Sequence, residues 1–455
     1  MTIPVALQEL MQQEDLCALQ HILQNYAPCH LVGGSIRDAL LGRPSRDLDL
    51  VLAGDPTQLA RDFAELRQGT WVPLDPVRRQ HRVVIKRKGL IHTFDFSPLR
   101  APTLQQDLRL RDFTINAMAI PLGAASKSVE LIDPLGGWSD LLGGHLRVCS
   151  PDVLLHDPLR VFKGVRHCLS LGLEALPETL KKMAQAVHLL PQVAPERIRG
   201  EVGEIFHVED LGDHFELLRD AGILPVLWDR PISPTMLQHC RDAVLQVEAG
   251  LKHLADGSGA EAIATLLEEE LEERLTRRAL LKMAAFFGVG PSVGSEQLAR
   301  RWRLGRRSVR ALGGYMQSTP ELAAGLAALR CQERGLALWV AKLPGDALGS
   351  LLGLSRWYHD GALTRELIGR ALQAYLAHQV EGRVAPLVDG RWIQEHCQLV
   401  SGPQVGLLQE ALADAEIRGQ VENLEEARKF LISLKKKTFD NLADGSYNLR
   451  LDKRE

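Results

Sequence analysis

Strand-forming segments crowd into the first 150 residues of this 455-residue chain and then all but cease. Runs rich in Val, Ile and Thr span 30–32, 47–53, 82–86, 91–96, 113–120 and 145–149, each bounded by Gly, Pro or Asp, with helical spacing at 36–41 and 56–66. From about Asp157 onward, Leu- and Ala-rich segments with apolar residues three and four apart dominate, broken by prolines such as Pro177, Pro195 and Pro234. The pattern predicts an α/β or α+β domain followed by a long helical part. Residues 250–260 read as a loop, and a second break falls near 380–390, where Gly382, Pro386 and Gly390 interrupt the spacing. The acidic run Glu268–Glu270 with Glu272 and Glu273, followed by Arg274, Arg277 and Arg278, reads as i,i+4 pairs along a solvated helix.

Composition narrows the function. The chain is 45% hydrophobic and 24% charged, as globular proteins are. With 54 Lys and Arg against 57 Asp and Glu, the formal net charge is −3, so a nucleic acid would have to be held by local basic patches. Aromatic residues make up 5%, too few for base stacking to be the main mode of binding. Seven cysteines are scattered without a CxxC pair, which suits reduced thiols better than disulfides or structural zinc. No secretory signal and no run of apolar residues long enough to span a bilayer is present, so a cytoplasmic protein is expected.

The most informative stretch is 31–51. A short strand leads into Gly33-Gly34 and then an amphipathic helix, a turn at which backbone can approach a ligand closely and amide groups favour an anion such as a triphosphate. Asp47 and Asp49 follow at i and i+2 in a strand-like run, so both point to one face while Leu48 and Leu50 point to the other. Two adjacent carboxylates repel unless a cation relieves them, and oxygen ligands beside a phosphate suit Mg²⁺. The plainer alternative is a pair of strand-end aspartates answered by Arg46 or Arg37.

Together, GG-x-x-RD followed by D-x-D resembles the polymerase-beta-like nucleotidyltransferase superfamily. The resemblance implies a third acidic residue from a neighbouring strand, for which Asp95 in the β-like run 92–99 is the candidate. Four further runs follow in order: DLRLRDFTINAMAI (107–120), IDPLGGWSDL (132–141), DPLRVFKGVR (157–166) and ERIRGE (196–201). They resemble the successive motifs of the class II tRNA nucleotidyltransferases and bacterial poly(A) polymerases. The fold so implied is α+β: a polymerase-beta-like head with a small mixed sheet at 1–150, then all-α neck (151–215), body (216–380) and tail (381–455).

The same resemblance implies attack of an RNA 3′-hydroxyl on the α-phosphate of ATP or CTP, releasing pyrophosphate, at a two-Mg²⁺ site held by Asp47, Asp49 and Asp95. Gly33, Gly34 and Arg37 would cradle the triphosphate, and Arg111 and Asp112 would read the sugar, with Asn116 orienting the same region; the plainer alternative is an ordinary Arg–Asp surface pair. Asp157 and Arg160, three apart on a predicted helix, would read the base edge, with Arg166 nearby; the plainer alternative is a helix-stabilising salt bridge. The tRNA 3′ end is the implied partner. Six arginines in eleven residues (Arg300, Arg301, Arg303, Arg306, Arg307, Arg310) and the cluster Arg428, Lys429, Lys435, Lys436 and Lys437 are candidates for phosphate contacts. Residues 402–412 and 425–431 resemble the tail that grips the tRNA elbow. His156 stands where many CCA-adding relatives carry Glu, and Leu110 where many carry Arg. The run 71–84 looks more like relatives that add part of the CCA end, or only A. Residues 280–288 lack the His–Asp pair of the phosphohydrolase module some relatives carry, and His359-Asp360 reads as turn chemistry.

Overall fold

The computed structural model describes residues 4–87, 89–123, 129–255, 260–289, 294–329, 331–343, 346–354, 365–380 and 383–439. His359 and Asp360 lie outside the described residues. The early strand runs assemble one mixed sheet from β1 (Cys29–Val32), β2 (Asp47–Leu52), β3 (Thr70–Asp75), β4 (Gln80–Arg87), β5 (Leu90–Pro98) and β6 (Ala119–Leu122), in the spatial order β3-β4-β5-β2-β1-β6. β2 and β5 pair in parallel, and all other neighbours pair antiparallel. Period-two alternation sorts the side chains. Leu48, Leu50, Leu52, Phe94 and Phe96 enter the larger core with Phe63 and Ala60 of the helix Thr57–Arg67. Val32 and Val51 face the other way, into a smaller cluster with Leu108, Ala117 and Ala119. Asp47 and Asp49 share that second face, beyond the end of its apolar cover.

Two local readings change. β3 carries Pro73, which reads poorly as a strand from sequence, but it lies at the sheet edge, where a missing N–H is tolerated. Residues 113–120 are not one strand: Thr114–Asn116 form a 3₁₀ turn before β6 begins. That turn is held by the run 132–141. Asp133 accepts from the backbone amides of Gly137 and Trp138 at 2.8 and 2.9 Å, and Asp140 accepts from Thr114 Oγ1 at 2.6 Å and Arg147 at 2.6 Å.

The chain resolves into two compact units, Met1–Glu201 with Glu216–Pro231, and Val202–Phe215 with Ile232–Glu455. The boundaries expected at 150, 215 and 380 divide the chain more finely. In the second unit, the helix Pro234–Ala255 runs through residues 250–255, where a loop was expected, because Leu251 and Leu254 are buried and continue its apolar face. The acid-rich stretch is not a solvated helix either. Glu270–Glu272 and Leu275–Thr276 form a hairpin turned at Arg274 (φ 58°), and Arg277 is buried between Glu269 and Asp346 at 2.7 Å from each. The helix Arg277–Gly288 is almost wholly buried and carries Lys282, whose ammonium donates to Glu248 at 2.6 Å and to the Glu209 carbonyl at 2.8 Å. Near 380–390 the strands Gln379–Val380 and Arg383–Val384 pair before the helix Gly390–Cys397. That helix packs with Pro403–Ile417 and Leu424–Phe439 around Ile393, Leu408 and Leu431. Among the described residues, no helix is long and apolar enough to cross a membrane.

Gly137 has no room for a side chain, since a Cβ there would stand 2.1 Å from the Thr114 carbonyl oxygen. Gly137→Ala should therefore push apart the 3₁₀ turn and its buttress and destabilise the first unit by about 3 kcal/mol, as read from urea unfolding. An unchanged midpoint would show that the two segments are not locked together.

Candidate active site

Register places the acidic residues. In the parallel β2–β5 pairing, Asp49 stands opposite Asp95 and Asp47 opposite Thr93, so the three carboxylates share one face of the sheet. Thr93 donates a short hydrogen bond from its hydroxyl to Asp47. Asp95 is also opposite Arg82 on β4, and the guanidinium grips it through both oxygens at 2.7 Å. Sequence reasoning missed Arg82; the cross-strand register supplies the contact, and the spacing of two separate runs does not reveal it. Among the described residues, no three His, Cys, Asp or Glu side chains stand close enough to hold a metal ion as placed.

Gly33 closes the site from the side of β1. Its backbone lies at φ 85°, a conformation open to glycine, and its amide donates to the Met118 carbonyl at 3.3 Å. A Cβ at Gly33 would sit 3.0 Å from Asp49 Oδ2 and 3.2 Å from Arg111 Nη1, so a bare backbone is what lets these charges crowd the turn. The Asp49 side chain is exposed to the cleft, although Gly33 and Arg111 crowd close to its carboxylate. Burial pushes its carboxyl above the ordinary carboxylate value; Arg111 opposes the shift, and Asp95 and Asp47 add to it. Burial likewise lowers the Arg111 guanidinium, against the pull of Asp107.

These groups line a cleft of about 390 Å³ that also contains Gly34, Arg37, Asp112, Asn116, Asp157, Arg160 and Arg166. Every residue expected to touch the nucleotide, apart from Asp47 and Asp95 on the adjoining sheet face, thus meets in one cavity. Most are already engaged with protein. Arg37 binds Asp38 through Nε (2.9 Å) and Nη2 (2.7 Å) and Asn116 Oδ1 through Nη1 (2.6 Å). Burial raises the Asp112 carboxyl, but the nearby Lys163 ammonium and hydrogen bonds from Asn116 and the Phe113 amide pull it down, so its net shift is downward. Arg166 pairs with buried Glu201 at 2.9 Å.

Asp157 and Arg160 do not share a helix face. Asp157 is extended (φ −141°, ψ 92°) between the helices Val153–His156 and Arg160–Leu171, because Pro158 follows it. Nor do they form a salt bridge with each other: Asp157 pairs with Arg197 at 3.4 Å, and Arg160 donates to the Leu110 and Val153 carbonyls at 3.0 and 3.2 Å. Both still line the cleft. Arg100 and Asp107, which sequence reasoning also passed over, form a second bracket at its rim, with Arg100 Nε 3.1 Å from the buried Asp107 carboxylate.

The expected RNA-contacting residues lie in the second unit and are partly answered. Arg307 pairs with Glu269, Arg300 lies 3.9 Å from Glu296, and Arg301 stacks over Trp302 at 5.3 Å. Arg303, Arg306 and Arg310 are exposed. Lys435 donates to the Cys397 carbonyl at 2.6 Å, Lys429 pairs with Glu425 at 2.7 Å, and Arg428 and Lys436 are exposed.

A mixed sheet presenting aspartates beside a glycine turn, walled by arginines, defines a nucleotidyltransferase head. Residues 29–147 match the family described as the poly A polymerase head domain, and residues 172–230 match the probable RNA and SrmB binding site of polymerase A. The chain is 33% identical over 402 residues to a CC-adding tRNA nucleotidyltransferase of Geobacter sulfurreducens, covering 88% of this chain and 90% of the relative. It is 31% identical over 439 residues to an A-adding tRNA nucleotidyltransferase of Deinococcus radiodurans, covering 88% and 94%. The fold is similar to that of the Thermotoga maritima CCA-adding enzyme complexed with tRNA, with a TM-score of 0.66 at 21% identity over 95% of this chain and 96% of the other. The chain belongs to the tRNA nucleotidyltransferase and poly(A) polymerase family, and it is a nucleotidyltransferase.

The raised Asp49 carboxyl has a consequence for stability. A group whose folded value lies above its unfolded one favours the folded state at low pH and loses that contribution as pH rises through the folded value. Because Asp49 is exposed to the cleft and solvent screens its charge, Asp49→Asn should melt only slightly above wild type at pH 7, with the gap closing below about pH 4, while nucleotide transfer is lost. A lower melting temperature at both pH values would show that the Asp49 charge stabilises the fold.

Proposed function

We propose that this enzyme adds part of the CCA sequence to the 3′ end of tRNA, and that the part it adds is CC, from CTP. Two observations support partial addition. The Geobacter sulfurreducens and Deinococcus radiodurans relatives, each aligned over 88% of this chain, are named for it, and the CC-adding one of these two has the higher identity. The run 71–84 looks more like relatives that add part of the CCA end, or only A, and Leu110 and His156 differ from the residues that many relatives carry there. The A-adding relative, at 31% identity, keeps addition of A alone as the second reading.

The donor set suits Mg²⁺. Asp47, Asp49 and Asp95 offer only carboxylate oxygens, and Asp49 is held in surroundings that penalise its charge until a cation compensates it. When bound, two such ions would ease deprotonation of the attacking hydroxyl and neutralise charge on the leaving pyrophosphate. Asp95 would join only by loosening its grip on Arg82. The protein's own work is orientation and charge. Gly33 and Gly34 admit the triphosphate close to backbone, Arg111 faces it, and Asp112 accepts from a ribose hydroxyl. Asp157 and Arg160 select the base by its exocyclic amine and ring acceptors. The RNA 3′-oxygen forms a bond to the α-phosphorus as the bond to the β-phosphate oxygen breaks. The exposed cations among Arg300–Arg310 and Lys436 would hold RNA phosphates, with the helices of 381–455 as the tail that grips tRNA.

The test is product sequencing on tRNA ending at the residue before CCA and on tRNA ending in CC, with CTP and ATP supplied singly and together. The first substrate should gain two C residues and stop even with ATP present, and the second should gain nothing. Addition of A to the CC-ending tRNA would overturn the CC assignment, and no incorporation on either would overturn the reaction.

A further inference from the structure

His167 lies in the wall of the nucleotide cleft without a role in the scheme above. It sits on the helix Arg160–Leu171 and is 4% exposed, its ring edge-on to Phe113 at 6.0 Å. The helix is drawn hard against that segment at Gly164, where a Cβ would stand 2.8 Å from the Phe113 ring and 2.9 Å from Met183. His167 therefore has little freedom to move away.

Its one polar contact among the described residues is informative. Nε2 lies 3.3 Å from Asn116 Nδ2. The orientation of the Asn116 amide is fixed from its other end, because Arg37 can only donate and its Nη1 lies 2.6 Å from Oδ1. The amide nitrogen thus faces both Asp112 Oδ1, at 3.1 Å, and His167 Nε2. One hydrogen goes to each, so Nε2 must be the unprotonated, accepting nitrogen. The ring proton then sits on Nδ1, which is buried with no hydrogen-bond partner among the described residues. Retaining an unpartnered donor there is unfavourable, and the return is an acceptor aimed at Asn116.

We infer that His167 is a positioning residue for ribose recognition: as a neutral acceptor it locks the Asn116 amide, and through it the Asp112 carboxylate, in the orientation that receives a ribonucleotide hydroxyl. The inference rests on the proposed nucleotide site. Burial, with the positive charges of Arg166, Arg37 and Lys163, outweighs the pull of Asp112 and keeps the imidazole neutral, as the geometry requires. Protonation at Nε2 would set two donors against each other and turn the amide away from Asp112.

The test compares His167→Phe, which keeps a ring against Phe113 but removes the acceptor, with His167→Gln, whose carbonyl can still accept. Steady-state incorporation onto tRNA is measured with CTP and dCTP, alongside equilibrium binding of both nucleotides without RNA. His167→Phe should raise the KM and Kd for CTP about fivefold, leave those for dCTP unchanged and hold kcat within twofold. His167→Gln should behave as wild type. Equal changes for CTP and dCTP, or a His167→Gln variant as impaired as His167→Phe, would reduce His167 to a packing residue and overturn the inference. If His167→Phe does not fold, His167→Leu carries the same expectation. Should wild type fail to extend tRNA, the proposed reaction falls, and the binding comparison still decides the role of His167.

Discussion

The parallel pairing of β2 with β5 is the constraint on which the site depends. It sets Asp49 beside Asp95 and leaves Asp47 one step along the same face. A one-residue slip in that register would bury the aspartates with Phe63 and bring Leu48 and Leu50 to the cleft. The apolar side chains of the opposite face prevent the slip, so the larger core determines where the acids stand. The resulting cluster is electrostatically unfavourable: Asp49 is pushed toward its neutral form, and Arg82 answers Asp95. Unfavourable charge of this kind is common where a protein must bind a cation and a polyanion in turn.

The later motifs support one another around this cluster. Asp140 and Gly137 hold the turn at Thr114, which presents Asn116. Arg160 of the fourth motif binds the carbonyl of Leu110 in the second. From the fifth motif, Arg197 pairs with Asp157 and Glu201 with Arg166. Each motif thus contributes fewer groups aimed at substrate than its composition suggests, and more that fix the groups of its neighbours. Preorganisation of this sort lowers the reorganisation needed when a nucleotide enters.

What could be read from sequence followed from local rules. Alternation placed Asp47 and Asp49 on one face, and the glycine turn located the backbone approach at Gly33. The order of the five motifs led to the family and to most of the cleft. What escaped depends on contacts between distant segments. Arg82 and Asp95 meet through strand register, and Arg100 and Asp107 through a loop closing on a helix. His167 reaches Asn116 only because Gly164 allows a helix to settle on Phe113. Asp157 left its expected helix because Pro158 disfavours helical backbone before it. In the second unit, charge pattern misled: Glu268–Arg278 has the composition of a solvated helix, but Arg277 is buried and the segment turns as a hairpin. Periodicity of charge does not reveal which charges are paired inside.

The most direct measurement is crystallographic. Crystals grown with Mn²⁺ and a non-hydrolysable CTP analogue should show anomalous density bridging the carboxylates of Asp47 and Asp49, with the triphosphate against Gly33 and Gly34. Anomalous density away from both aspartates, with the nucleotide bound elsewhere, would contradict the assignment of this sheet face as the site of nucleotide transfer.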